Sequence, residues 1–197
     1  MAFPGYPTTL PTDILPNSGA IYLGANGSGV LLGRTRGGIK FDPKRAIEPI
    51  KFDGLRAPPR GLHWITDYAS TIDTKLLQFS SAVYTQLEPG ILSASGSGIV
   101  STFYTALGAS LPFAAGSYLT DLRAIWKRSS GAFFQVRMHF ALCMKYDLVS
   151  KDKDVVEVDA SFVGCIDPSQ TNPATGVTYT TDDAPYVLEE IYAGSTL

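Results

Sequence analysis

The most regular pattern in the chain is an alternation of apolar and polar residues across positions 134–148. Every even position is apolar, whereas the odd positions include polar side chains such as Gln135, Arg137 and Lys145. A period of two over this length predicts one long β-strand with a dry face and a wet face. At about 3.3 Å per residue, the strand would extend roughly 50 Å.

Shorter β-prone segments surround this strand. Residues 121–127 precede it and residues 155–163 follow it, each across a polar turn, which predicts an antiparallel meander. Residues 20–24 and 30–41 are separated by Asn and Gly residues and predict a hairpin. A further long strand is expected over residues 63–76, where apolar residues share one face.

One helix is expected over residues 77–88. Phe79, Val83 and Leu87 recur every fourth residue there, and Pro89 with Gly90 ends the run. A short strand over residues 99–105 is the one element predicted in the Gly-, Ala- and Ser-rich segment that follows.

The length of 197 residues suits one domain with appended arms. We expect an extended, proline-rich N-terminal arm over residues 1–18, a β domain over residues 19–167 and a C-terminal extension over residues 168–197. No apolar stretch is long enough to span a membrane, and the N-terminus has no basic cluster typical of a secretory signal.

Charge is unevenly distributed along the chain. The formal net charge is −2, yet residues 1–60 carry eight Lys and Arg against four Asp and Glu, whereas residues 151–197 carry two against nine. This polarity fits two solvated tails, and it fits equally well two complementary surfaces that meet when copies stack head to tail. The dispersed basic residues do not form a nucleic-acid-binding patch.

A long antiparallel sheet has edges that recruit other chains unless they are blunted or paired. Closing such sheets into a ring removes every edge, which favours assembly between copies. A twisted sandwich with protected edges is the equally weighted alternative.

Residues with catalytic or metal-binding chemistry do not cluster in the sequence. His63 and His139 have no Cys, Asp or Glu at metal-ligand spacing, and no nucleophile and base occur in a recognisable motif. We therefore expect no enzyme activity, metal or cofactor. Trp64 and Trp126 are interpreted as core or interface anchors.

The two cysteines are expected to remain free thiols in a reducing compartment. Counting equally from a turn at residues 150–152 places Cys143 opposite about Val158. Cys165 would then lie seven residues further along, roughly 23 Å away and beyond disulfide reach.

The segment 33–61, GRTRGGIKFDPKRAIEPIKFDGLRAPPRG, resembles the opening of major tail tube proteins of long-tailed bacteriophages. The resemblance rests on the G-x-T-x-G-G step at Gly33, Thr35, Gly37 and Gly38, an aromatic strand, a β run ending in Asp-Gly, and a Pro-containing loop. The order of elements over residues 20–167 is also similar.

This resemblance implies a mainly β (α+β) fold, an antiparallel β-sandwich or partial barrel with one flanking helix, closing into a hexameric ring. Rings would stack into a tube through which the tape measure protein and double-stranded DNA pass. A tail terminator and a distal tail protein would bind the tube ends. The protein would be a virion component assembled in the host bacterial cytoplasm, with no membrane partner.

Within this interpretation, the loop 43–61 would reach the next ring. Basic residues of one ring would then meet acidic residues of the next, the predicted set being Lys44, Arg45, Lys51, Arg56, Arg60, Asp182, Asp183, Glu189 and Glu190. Because DNA must slide through the lumen without binding, we expect its wall to be neutral to acidic, with Glu157, Asp159 and Ser161 facing it. Arg137 and Lys145 are expected to be paired or to point elsewhere.

Two other functions stay open. A tail terminator or head-tail joining protein would form a single ring without polymerising. A carbohydrate-binding β-sandwich module would remain monomeric and use Trp64, Trp126 and tyrosines to stack on sugars.

Overall fold

A computed structural model describes residues 19–24, 30–50, 63–77, 87, 91–96, 99–105, 118–128, 130–149, 157–172, 175–180 and 183–191. The strands within these residues are β1 (Gly19–Leu23), β2 (Val30–Asp42), β3 (Arg45–Pro49), β4 (His63–Tyr68), β5 (Thr71–Leu76), β6 (Ile91–Gly96), β7 (Ile99–Thr105), β8 (Leu119–Lys127), β9 (Phe133–Val149), β10 (Glu157–Cys165) and β11 (Val187–Ile191). The fold is mainly β, as the sequence predicts.

Seven strands form the main sheet in the order β10-β5-β2-β1-β8-β9-β11, and β10 also pairs with β9. This second pairing joins the two ends of the sheet, so six strands form a closed circuit. Every pairing is antiparallel. The predicted β1–β2 hairpin and the β8–β9–β10 meander are both confirmed.

The core lies inside the closed circuit, where alternate residues of each strand point inward. Ile21, Ile72, Leu122, Met138 and Phe162 are each completely buried there. On β10 the even positions 158, 160 and 162 are buried, whereas the odd positions 159 and 161 are partly exposed. This period of two is the expected signature of a strand with one face packed.

The long strand is confirmed, but its single dry face is wrong. Val136 and Met138 are buried as predicted, yet further along β9 the residues that join the core cluster are Ala141 and Cys143, at odd positions, and the buried Leu142 between them is not part of that cluster. Met144, at an even position that the pattern assigned to the dry face, is 65% exposed. The inward face therefore changes from even to odd positions partway along the strand.

Two irregularities account for these changes of face. Asp121 in β8 has a φ of 55°, and around it the ladder runs from Thr120 opposite Phe140 to Leu122 opposite Met138. This ladder keeps one register, and Leu119 and Leu122 on either side of the irregularity are both buried, so the inward face changes without a shift. In the β9–β10 ladder, by contrast, a bulge opposite Ser161 and Phe162 gives β9 one extra residue, Met144, and shifts the register by one. Such a shift exchanges the two faces of a strand, and a composition pattern does not reveal it.

The Gly37-Gly38 pair forms a bulge inside β2 and is not a turn between strands. Thr35 lies opposite Leu76 and Ile39 opposite Thr74, so the β2 strand uses more residues than β5 over this interval. Gly38 has a φ of 91°, in the left-handed region where glycine carries no Cβ penalty.

The prediction of one strand over residues 63–76 is also wrong. The segment divides at Ala69 and Ser70 into β4, in a separate two-stranded sheet with β3, and β5, in the main sheet. The break is held by backbone hydrogen bonds in which Ala69 N–H donates to the Lys44 carbonyl and Gly164 N–H donates to the Ser70 carbonyl.

The cysteines are free thiols, as predicted, although the predicted register is wrong. Cys143 lies opposite Phe162, and Cys165 lies opposite Phe140. The β9–β10 connection is longer than the turn that was assumed, because the last paired residues are Val149 and Glu157. Cys165 consequently lies three residues along β10 from the partner of Cys143, still too far for a disulfide.

Several predictions fall on other parts of the chain. The helix expected over residues 77–88 lies outside the described residues apart from Leu77 and Leu87, of which Leu87 is completely buried. The arm 1–18 also lies outside them. The strand predicted over 99–105 is confirmed as β7, whereas β6 and β11 were not predicted.

We expect Phe162→Ala to lower the free energy of unfolding by about 3–5 kcal/mol, because it empties the largest fully buried position of the core. Urea unfolding followed by tryptophan fluorescence measures this. The control Val177→Ala, at a site 60% exposed, should change stability by under about 0.5 kcal/mol. Equal losses in both variants would contradict the assigned core.

Candidate assembly and channel surfaces

The outer side of strands β2, β5, β10 and β9 forms a surface of alternating charge, which we call the charged face. Its members are Lys40, Asp42, Asp73, Lys75, Lys145, Asp147, Glu157, Asp159 and Ser161. The strand ladders align them in rows, with Lys75 opposite Asp159 and Lys40 opposite Asp73, a favourable cross-strand arrangement of opposite charges. Asp159 also lies opposite Asp147, a like-charge pair next to Lys75 and Lys145.

Each lysine on the charged face lies near a carboxylate. Lys145 Nζ is 2.6 Å from Asp147, and Lys75 Nζ lies 3.5 Å from Asp159 and 3.9 Å from Glu157. The Asp147 carboxylate raises the pKa of Lys145 through a hydrogen bond and its charge. Five carboxylates stand against three lysines, so the face has an excess of negative charge.

The three residues predicted to face a lumen, Glu157, Asp159 and Ser161, do share this surface. The Ser161 hydroxyl donates to Asp73 Oδ1 at 2.6 Å, and Glu157 is itself buried, with 5% of its surface exposed. Asp159 and Ser161 border a depression of about 600 Å³ that charged side chains of neighbouring strands also line, among them Lys75 and Lys145. Among the described residues, no group of His, Cys, Asp and Glu is arranged to hold a metal ion.

A second polar group centres on Asp121, at the point where β8 changes face. Oδ1 of Asp121 accepts hydrogen bonds from Arg137 Nε at 2.7 Å and lies 2.6 Å from Arg137 Nη2. His139 Nδ1 lies 3.1 Å from the same oxygen, and the Tyr179 ring stacks on His139. Arg137 is therefore paired, as is Lys145, as predicted.

Two deeply buried polar side chains adjoin this group. Arg123 is 3% exposed and lies opposite Arg137, and Gln135 is completely buried and donates to Glu189 of β11. Burial, and then the charge of Arg137, lower the pKa of Arg123, while Asp121 and Glu189 oppose this shift. The carboxylates of Asp121 and Glu189 thus offset the positive charge of Arg123 and Arg137.

The β3–β4 hairpin is a separate two-stranded sheet that pairs with none of the described strands of the main sheet. Ile47 lies opposite Ile65 on one side, and Trp64 lies opposite Glu48 on the other. Ile47, Trp64 and Ile65 are 55%, 58% and 42% exposed. Both sides of this hairpin consequently present large apolar side chains to solvent.

A groove of about 770 Å³ lies between this hairpin and the segment after β10. Ile65, Tyr68, Cys165 and Pro185 contribute to its lining. Burial raises the pKa of the Cys165 thiol, so this group stays protonated at neutral pH and is a poor nucleophile.

The basic residues predicted to join successive rings are described by the structure only in part. Lys44, with a φ of 41° and its N–H bonded to Asp42, and the exposed Arg45 lie where the chain enters the β3–β4 hairpin. Lys51, Arg56, Arg60 and Asp182 lie outside the described residues.

The described acidic members of that set already have partners within the chain. Asp183 accepts from the N–H and hydroxyl of Thr180, and Glu190 pairs with Arg128 at 2.6 Å. Glu189 accepts from Gln135. A contact with the next ring would have to share these carboxylates, and it stays a prediction.

The two tryptophans have different environments. Trp64 is exposed, whereas Trp126 is partly buried and its ring centroid lies 6.1 Å from that of Phe134.

The sequence analysis did not identify Asp121 as a site residue, because nothing in a run of β-prone residues marks an aspartate with a left-handed backbone. Its separation of sixteen residues from Arg137 becomes meaningful only once the β8–β9 register is known.

Comparison with known proteins finds no family model that matches the chain, and no curated protein matches its sequence. Within the described part of the chain, no helix has the length and apolar character needed to cross a bilayer. The function must therefore be inferred from the surfaces above and from the resemblance of segment 33–61.

We expect Asp121→Asn to lower the free energy of unfolding by about 2–4 kcal/mol, because it leaves the partly buried Arg137 without its counter-charge. Asparagine tolerates the left-handed backbone, so the change tests charge and not conformation. Thermal and urea unfolding report the effect. Asp147→Asn, in an exposed pair, is the matched control and should have little effect; a similar loss in both variants would contradict a special role for Asp121.

Proposed function

We propose that this protein is the structural subunit of a bacteriophage tail tube, which forms hexameric rings that stack into a conduit for DNA. The observation that carries this proposal is the β3–β4 hairpin, which exposes apolar side chains on both sides and whose first strand lies within the tail-tube-like segment 33–61. A two-stranded sheet is marginally stable alone in water. Contact with a neighbouring copy would bury Ile47, Trp64 and Ile65.

The charged face supports a DNA conduit in a second way. A duplex slides freely only past walls that do not release its counterions, and unpaired lysines would do so. Here each lysine has a carboxylate nearby and carboxylates are in excess. In the proposed tube this face lines the lumen, which the tape measure protein occupies before the DNA passes.

The alternatives make different demands on the same surfaces. A tail terminator or head-tail joining ring would also bury the hairpin, but would stop after one ring. A carbohydrate-binding module needs a platform of exposed aromatic rings, and Trp126 is packed against Phe134 while Trp64 lies among the exposed residues of the hairpin. A tail tube subunit would use both surfaces, the hairpin for contact between copies and the charged face for the wall of the lumen.

We expect the double variant Ile47→Asp, Trp64→Ser to remain folded but to lose assembly, because it removes the exposed apolar surface and adds a charge. Negative-stain electron microscopy and light scattering over a concentration series measure this, with wild type forming hollow tubes. The control Val177→Asp alters an equally exposed apolar residue elsewhere and should leave tubes intact. Tubes of normal length from the double variant would contradict the proposal, and single wild-type rings would favour a terminator.

We expect the triple variant Asp42→Asn, Asp147→Asn, Asp159→Asn to make tubes bind short duplex DNA, because it removes the nearest paired carboxylate of each of the three lysines on the charged face. If three phosphates are neutralised, affinity should fall about 40-fold between about 50 and about 200 mM salt. Co-sedimentation of tubes with labelled DNA gives this number. The control, Asp167→Asn, removes a carboxylate outside the charged face and the β3–β4 hairpin; equal DNA binding by both variants would argue against a lumenal charged face.

A further inference from the structure

The β6–β7 hairpin belongs to the longest uncharged stretch of the chain. From Pro89 to Thr120 there is no Asp, Glu, Lys, Arg or His. The two strands pair from Ile91 opposite Thr105 to Gly96 opposite Ile99, and neither pairs with any other described strand. This hairpin is thus a second isolated two-stranded sheet.

Such a hairpin is unusual on two physical grounds. Two strands alone are marginally stable in water and need a third strand or a packing surface. Proteins that keep sheet edges free protect them with charged side chains or proline, and neither β6 nor β7 contains one. The hairpin edges are therefore suited to pairing and not to remaining in solvent.

The main sheet has an edge able to receive such a strand. β8 pairs with β9 only as far as Leu119 opposite Ala141, and β10 occupies the other side of β9 up to Val149. Residues 142–149 of β9 consequently have a described partner strand on one side only. Met144 and Leu148 within this stretch are 65% and 52% exposed.

The open edge and the hairpin are matched in length and charge. The edge spans residues 142–149, and β7 has seven residues, four of them β-branched. The charged residues of the edge, Lys145 and Asp147, neutralise each other at 2.6 Å. An uncharged strand would therefore add to an edge that has no net charge.

We propose that β7 of one copy adds to the open edge of β9 in a second copy of this chain. The contact joins two different surfaces, so it repeats from copy to copy and closes into a ring when the rotation between copies permits. It rests on the proposed function only in requiring that copies associate. The hairpin β3–β4 is left free to contact a different neighbour.

Cysteine cross-linking tests this pairing directly. In a Cys143→Ala, Cys165→Ala background, Ser101→Cys on β7 is combined with Met144→Cys on β9, and the protein is treated with a short bis-maleimide. A ladder of covalent oligomers is expected on denaturing gels, because each chain links to two others. Each single-cysteine chain should stop at dimers, and Ser101→Cys combined with Val177→Cys should give no ladder.

A charge on the hairpin edge provides an independent measurement. Ser101→Lys should raise the concentration needed for half-maximal assembly at least about tenfold, because the lysine must be desolvated at the joint. Ser130→Lys, at an exposed turn residue, is the control and should have no effect. Circular dichroism and thermal unfolding verify that both variants fold.

Two outcomes overturn the inference while leaving the tail-tube proposal standing. One is a cross-link within a single chain, which would place β7 on its own β9. The other is normal tubes from Ser101→Lys together with no ladder from the cysteine pair. A wild-type chain that stays monomeric at every concentration overturns both proposals.

Discussion

The double pairing of β9 is the constraint on which the rest of the fold depends. One side of this strand pairs with β8 and the other with β10 and β11, and its 17 residues make both ladders possible. Without the return of β10 to β9, the main sheet would have two open ends and the core side chains would lie on an exposed surface. Strand length here is a requirement for closure, since the ladders to β8 and β10 are displaced along β9 and overlap only at Phe140 and Ala141.

Closing the sheet requires an unfavourable backbone conformation at one residue, which interactions of specific side chains stabilise. The inward face of β9 changes where β8 contains the left-handed Asp121, a conformation that is unfavourable for residues other than glycine. The Asp121 carboxylate holds Arg137 and His139 across the ladder, so the irregular backbone and the ion pair stabilise one another. Because Arg123 lies opposite Arg137, the same carboxylate also limits repulsion between the buried and the partly buried guanidinium groups.

The surface has two kinds of feature: charged side chains that pair within the chain, and hairpins that have no described packing partner. Each lysine of the charged face is compensated by a nearby carboxylate, so this surface has no free cation with which to bind a polyanion. The two outlying hairpins are the opposite case, because one exposes apolar side chains and the other has uncharged edges. A protein that worked alone would be expected to blunt both, so both features support the proposed assembly between copies.

The sequence by itself determined the β class, the hairpin, the β8–β9–β10 meander, the β7 strand and the alternation of β10, because a period of two reports which residues can share a face. It also indicated Glu157, Asp159 and Ser161 as one polar surface, since they lie two residues apart on a strand. Only the tertiary structure decided the break at Ala69, the changes of face in β9 and the role of Asp121. These depend on hydrogen bonds and ion pairs between residues distant in the chain, and a one-residue bulge leaves no trace in composition while it exchanges the inside and outside of a strand.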